Sequence, residues 1–246
     1  MKRILLVAAM LVSTKLFALD FNVSQGASFI KETACVDNKT KTYCNTKSIL
    51  VSNTALNFNS DYLNAESEIK LGNSYRSFYF NIMPHYNVNE NVSFVSNISY
   101  QYYNIDFSKM NITENDVVIN VGLELKETLC DFLNFKLSAF VGYVPTYSNC
   151  FSNLCETKFN IDIGISRYVE AYFSIESFQS SISFANFNPI FVKNSYGIRA
   201  HYDINKVRIF ASWDYYCLHP EKAWTYELLS YNRFESYATI GLRYSF

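Results

Sequence analysis

Residues 237–246 constrain the fold more than any other stretch. They read Y-A-T-I-G-L-R-Y-S-F and end the chain. On an extended backbone Ala238, Ile240, Leu242, Tyr244 and Phe246 share one face, and Tyr237, Thr239, Gly241, Arg243 and Ser245 share the other. An unbroken period of two means a β-strand with one oily and one polar face. The pattern recurs upstream. Val117, Ile119, Val121, Leu123 and Leu125 alternate with Val118, Asn120, Gly122, Glu124 and Lys126, and Phe159, Ile161, Ile163 and Ile165 alternate with Asn160, Asp162, Gly164 and Ser166. Val207, Ile209, Ala211, Trp213 and Tyr215 oppose Arg208, Ser212 and Asp214. Such interleaving explains how a chain that is 49% hydrophobic has a mean hydropathy of only −0.04. With 20 Tyr and 21 Phe against 7 Gly, the composition also favours strands.

Twelve alternating segments are predicted, at 21–30, 47–58, 62–71, 75–86, 92–103, 116–127, 133–144, 158–168, 171–184, 194–203, 206–216 and 234–246. A bulge near Ser180 is expected where the ninth loses phase. Counting back from the C-terminus, the connections 31–46, 72–74, 104–115, 145–157, 185–193 and 217–233 fall at one end. The uniformly short links 59–61, 87–91, 128–132, 169–170 and 204–205 fall at the other. Pro145, Pro189 and Pro220 belong to the first set, where no ladder donor is needed. An even strand number with connections sorted by length predicts an all-β fold, a closed antiparallel up-and-down transmembrane β-barrel. The expected number is about 12 strands, with 10 or 14 as alternatives because the first four alternate weakly. A soluble sandwich has no reason to sort its connections this way. No stretch approaches 18 consecutive apolar residues, so the embedded part crosses as a barrel, not a helix.

The terminal Phe246, closing such a strand beneath Tyr244, resembles the C-terminal assembly signal of bacterial (Gram-negative) outer-membrane β-barrel proteins, a superfamily that includes small porin-like channels. The resemblance implies delivery across the inner membrane, outer-membrane lipid around the wall, and the barrel assembly machinery as a partner in biogenesis. Residues 1–18 read as a secretory signal peptide: Lys2 and Arg3 precede an apolar run at 4–12, with Ala18 as the last residue before cleavage. Residues 19–246 are then one barrel domain. Formal charge is −1, and loss of Lys2, Arg3 and Lys15 makes the mature chain more acidic. No basic patch points to nucleic acid.

All six cysteines follow the signal. Proximity in an oxidising compartment favours Cys35–Cys44 and Cys150–Cys155 as disulfides, both in connections of the longer set. Cys130 and Cys217 have no evident partner in the sequence. C-x-x-C spacing and neighbouring histidines are missing, so no metal or other cofactor is expected.

The face opposite the apolar one collects Glu66, Glu68, Lys70, Glu124, Lys126, Lys136, Asp162, Glu176, Arg199, His201, Asp203, Arg208, Asp214 and Arg243. In mid-membrane lipid an Arg or Lys would cost about 2–4 kcal/mol, so these residues are assigned to the lumen. Acids and bases are nearly balanced. They suit a water-filled passage with a transverse field for small polar or ionic solutes, or a neutralised network that plugs a narrow barrel and leaves binding to the stapled outer connections. Arg199, Arg208 and Arg243, on three successive strands, form either a basic ladder or pairs with Asp203, Asp214 and Asp162. Tyr143, Tyr202, Trp213, Tyr215, Tyr244 and Phe246 are assigned to interfacial aromatic girdles. No catalytic set is expected. His201 and Asp203 share a face in the manner of an oriented base, but the remaining partner of a lipid hydrolase is a distant Ser212 at best. A monomer is the expected state.

Overall fold

The computed structural model describes residues 20–38, 41–107, 110–130, 132–147, 151–180, 189–220 and 231–246. The signal segment 1–18 lies outside the described residues. Twelve strands follow one another: β1 (Asp20–Asn38), β2 (Lys41–Asn59), β3 (Leu63–Gly72), β4 (Tyr75–Asn87), β5 (Val92–Phe107), β6 (Met110–Cys130), β7 (Leu133–Tyr147), β8 (Phe151–Ser166), β9 (Val169–Gln179), β10 (Phe191–Ile204), β11 (Val207–Pro220) and β12 (Tyr231–Ser245). Each pairs antiparallel with its sequence neighbours, and β1 pairs with β12, so the sheet closes into an up-and-down barrel. Closure removes every full-length edge, the condition for burying a β-structure in lipid.

The seam explains why the last strand carries so regular a pattern. β12 lies along β1 from Asn22↔Ser245 to Val36↔Tyr231, with Gly26 opposite Gly241. The Phe246 amide donates to the Phe21 carbonyl at 3.0 Å. Its ring packs against Phe21 and Tyr244 at centroid distances of 5.5 and 4.8 Å. Alternation fixes the register, because a slip of one residue would turn Ile240 and Leu242 into the lumen and Arg243 into lipid.

The connections at the end holding Phe246 (the turn end) are short and locally determined. Ser60 Oγ accepts from the Leu63 amide at 3.0 Å, and Asn89 Oδ1 accepts from the amides of Asn91 and Val92 at 2.8 Å. Asn205 takes a positive φ of 54° in the β10–β11 turn, a conformation Asn tolerates better than most residues.

The opposite, far end departs from expectation. Residues 31–46, 104–115 and 145–157 were assigned to connections, but most of them continue the strands: β1 and β2 run to Asn38 and from Lys41, β5 and β6 to Phe107 and from Met110, β7 and β8 to Tyr147 and from Phe151. Likewise β10 begins at Phe191, β11 reaches Pro220 and β12 begins at Tyr231. Polar composition misled there, because strands that extend beyond the apolar band need no apolar outer face. Pro145 is therefore inside β7, where the β6–β7 register shifts between Val117 and Ile119 and no ladder bond is lost. Instead of bulging near Ser180, β9 ends at Gln179.

Strand lengths make the far rim uneven. β1 and β2 have 19 residues each and β6 has 21, whereas β3 has 10. β2 pairs with β3 only as far as Ser52↔Leu71, and β4 with β5 only as far as Tyr75↔Ile105. Above the β3–β4 turn, β2 meets β5 directly, and Lys47 Nζ donates to the Asp106 carbonyl. Gly72 permits this closeness: a methyl there would lie 2.8 Å from Val51 Cγ1 and 3.1 Å from Ile49 Cγ2.

The tall β1–β2 hairpin carries the disulfide Cys35–Cys44, whose residues face each other in register with Cα atoms 4.1 Å apart. The second expected pair includes Cys150, which lies outside the described residues; Cys155 sits half-buried in β8 opposite Tyr143. Closing so short a loop contributes about 2–3 kcal/mol by chain entropy. Reduction is therefore expected to lower the stability of the hairpin by that amount, read as faster amide exchange at 31–46 by mass spectrometry.

Candidate functional site: the barrel lumen

The inward phase of all twelve strands surrounds one cavity of about 780 Å³. Apolar partners such as Ile98, Ile119, Val121, Leu123, Ile240 and Leu242 face outward and are exposed. Of the charged residues assigned to the lumen, Glu66, Glu68, Lys70, Glu124, Lys136, Asp162, Glu176, Arg199, His201, Arg208, Asp214 and Arg243 line this cavity. Lys126 and Asp203 instead sit at its turn-end rim, where they pair with Glu124 and Arg208.

Near the turn end the lumen is open to solvent. The side chains of Lys126 and Arg199 are 54% and 51% exposed. Their charges are mostly answered. Lys136 bridges Glu124 at 3.6 Å and Asp162 at 3.3 Å. Arg208 grips Asp203 with two parallel bonds of 2.6 and 2.9 Å. Arg199 stands 3.8 Å from Glu170 and 3.9 Å from Asp214, with its guanidinium 4.4 Å over the Tyr172 ring. Arg243 has no carboxylate within ion-pair distance among the described residues and lies 5.9 Å over Phe210. Two of the three arginines therefore pair with Asp203 and Asp214, and Asp162 is taken by Lys136 rather than by an arginine. Asp214 also accepts from Tyr172 at 2.8 Å and from Ser212 at 2.9 Å. The Ser212 hydroxyl thus points to a carboxylate, while His201 lies opposite Phe210.

Towards the far end the lumen becomes dry. Arg233 is 7% exposed and faces three carboxylates: Nε is 3.1 Å from Glu32, and the terminal nitrogens bond Glu114 and Glu235. The guanidinium stacks 3.8 Å above Tyr103, whose hydroxyl donates to Glu32, and Tyr237 donates to Glu235. On the other side Glu176 takes Lys158 at 2.7 Å and Lys193 at 3.4 Å, and Glu156, 2% exposed, accepts from Asn120 at 2.9 Å.

Two apolar clusters accompany these nodes. Ile30, Ala34, Ile49 and Val51 from the β1–β2 hairpin pack against Tyr75, Tyr103, Ile105 and Tyr237. Val144, Leu154 and Phe178 pack with Val118, Ile190 and Leu218. All except Ile190, which lies beside β9, continue the inward phase of their strands. Extending the period of two would have found them: Ile30, Glu32 and Ala34 continue Ser24, Gly26 and Ser28, and Arg233 and Glu235 precede Tyr237 in step.

The girdle residues face outward. Tyr202 packs on Tyr168 near the turn end, and Tyr244 on Phe246. Tyr196, Trp213 and Tyr215 form one outward aromatic group with centroids 5.0–6.4 Å apart. Trp213 Nε1 donates to Ser236 at 3.0 Å.

No family model matches the chain, and no curated protein matches it. Solved structures similar in architecture include the KdgM porin, with a TM-score of 0.47 and 10% identity over 89% of this chain and 99% of that chain. The translocator domain of the autotransporter NalP from Neisseria meningitidis gives 0.48 and 11%, over 92% of this chain and 88% of that chain. A deltaS2 mutant of the TodX monoaromatic hydrocarbon channel gives 0.43 and 8%, over 92% and 90%.

Proposed function

We propose that this chain is an outer-membrane β-barrel channel that passes small polar or ionic solutes passively through a charged lumen. The observation that carries the reading is the sorting of side chains by face. Hydrocarbon-compatible residues cover the outside, while polar residues of all twelve strands, charged or amide in most of them, line the continuous cavity. That division serves no purpose in a soluble sandwich, whose apolar faces would meet each other. Interfacial rings at both ends of the apolar band and an overhanging, disulfide-bonded hairpin at one end fit insertion with the turn end towards the periplasm. Outer-membrane lipid and the assembly machinery are then the partners of the wall, small polar solute is the partner of the lumen, and the barrel acts as a monomer after removal of residues 1–18.

A second reading has its own support. Two apolar clusters pack beside buried charges inside the far end of the lumen, as in a plugged barrel that presents its hairpins for binding. Planar-bilayer recording of the refolded protein separates the two. Steady stepwise openings are expected for the channel; a silent membrane at protein levels that insert would leave the plugged barrel.

A further inference from the structure

We propose that Glu66 and Arg243 are the two poles of a lumen subsite for small zwitterions of the amino-acid and short-peptide class, which carry one ammonium and one carboxylate group; the inference rests on the channel reading above. Most charges of the turn-end lumen are answered at close range. Lys70 takes Glu68 at 2.8 Å, and Arg199, Arg208 and Lys136 each have a carboxylate within 3.9 Å. Glu66 and Arg243 differ. Both line the cavity, and neither has an ion pair or a hydrogen bond among the described residues. Even the buried Nε of Arg243 lacks an acceptor, so the donors of its guanidinium are all uncommitted.

The fold places the two near the same end of the barrel. Glu66 lies three residues into β3, and Arg243 two residues before the end of β12. β12, β1, β2 and β3 are successive in the wall, which puts about 14 Å between the two backbones along the hydrogen-bonding direction. Ser24 on β1 and Ala55 and Asn57 on β2 line that interval, and all three are short and uncharged. The charges of Glu66 and Arg243 nevertheless act on each other across it. Glu66 also feels Arg199, whose guanidinium is already shared by Glu170 and Asp214. The arrangement is a pair of opposite charges set across open lumen. A lone anion gains from Arg243 but is repelled by Glu66, and a lone cation meets the reverse. A zwitterion gains from both, with its carboxylate on the guanidinium and its ammonium group on Glu66.

The test is the swelling rate of proteoliposomes in isotonic solute, with each zwitterion set against an uncharged solute of similar size: glycine against glycolamide, and diglycine against N-acetylglycinamide. Because pore size acts on both members of a pair, their ratio isolates charge. The native protein should admit the zwitterion of at least one pair roughly fivefold faster, the size expected of ion pairs formed in solvent. The pair with the larger advantage tells whether a free amino acid or a short peptide fits the poles better. Glu66→Gln and Arg243→Gln should each remove most of that advantage, in protein whose heat-modifiable gel mobility shows a folded barrel. A native advantage in neither pair, or a ratio that either substitution leaves unmoved, overturns the zwitterion site while leaving the channel standing. No swelling of native proteoliposomes in any of the four solutes overturns the channel reading and the site with it.

Discussion

Replacing Ile98 by Arg is expected to destabilise the inserted barrel by roughly 2–4 kcal/mol, whereas Ser99→Arg, one residue further on, should cost far less. The two positions are neighbours in β5 with opposite surroundings. Ile98 is 48% exposed on the outer surface, flanked in the ladder by Ile82 and Ile119. Its apolar neighbours leave a guanidinium no partner, and the mid-strand position is too far from either interface for easy snorkelling. Ser99 lines the lumen with Gln101 and Asp116, where a guanidinium stays hydrated and finds a carboxylate nearby. Denaturant unfolding from liposomes, followed by tryptophan fluorescence, measures both. Equal penalties would mean that the apolar face is not in hydrocarbon, and the membrane address would go with it.

How much of this was legible before the structure depended on whether a strand crosses the apolar band. Inside the apolar band each strand turns an oily face outward and a polar face to the lumen, so β6, β8, β11 and β12 announce themselves. Strand number, antiparallel order and the inward phase of Glu66 through Arg243 follow from that alone. Beyond the band the outer face is free to be polar, the period of two fades, and residues 31–46 and 104–115 read as connections. The charged nodes around Arg233 and Glu156 were missed for this reason, although their phase continues from the visible part of each strand. Pairings across the lumen were illegible in a different way. Arg233 lies 119 residues from Glu114, and nothing in the spacing says that β12 and β6 face each other at that level.

The uneven rim connects these parts. A barrel of this circumference leaves space for solute, as the turn-end half shows. At the far end the β3–β4 hairpin stops at Gly72–Tyr75 while its neighbours continue, so β2 meets β5 above the turn and the inward faces of β1, β2, β4 and β5 meet. Short β3 and the bare Gly72 thereby let apolar side chains from these strands pack together inside the far end of the lumen.

Arg233 is the charged residue at the centre of that packed part. Arg233→Ala should destabilise the barrel by roughly 3–5 kcal/mol, because it removes the guanidinium that the buried Glu32, Glu114 and Glu235 share. The Tyr103 ring would also lose the cation stacked on it. An alternative cause, loss of packing by a long side chain, makes a different prediction for combinations. If uncompensated charge dominates, adding Glu114→Gln and Glu235→Gln to Arg233→Ala should recover most of the loss, since Glu32 alone keeps the Tyr103 hydroxyl. If packing dominates, the triple variant should be no more stable than the single one. The coupling from such a cycle, measured by unfolding in liposomes, assigns the closing of the far end to electrostatics or to shape. Repulsion among the freed carboxylates should also push the β1–β2 hairpin away from β12 and β6, so the single variant is expected to show faster amide exchange at 30–34 than the triple.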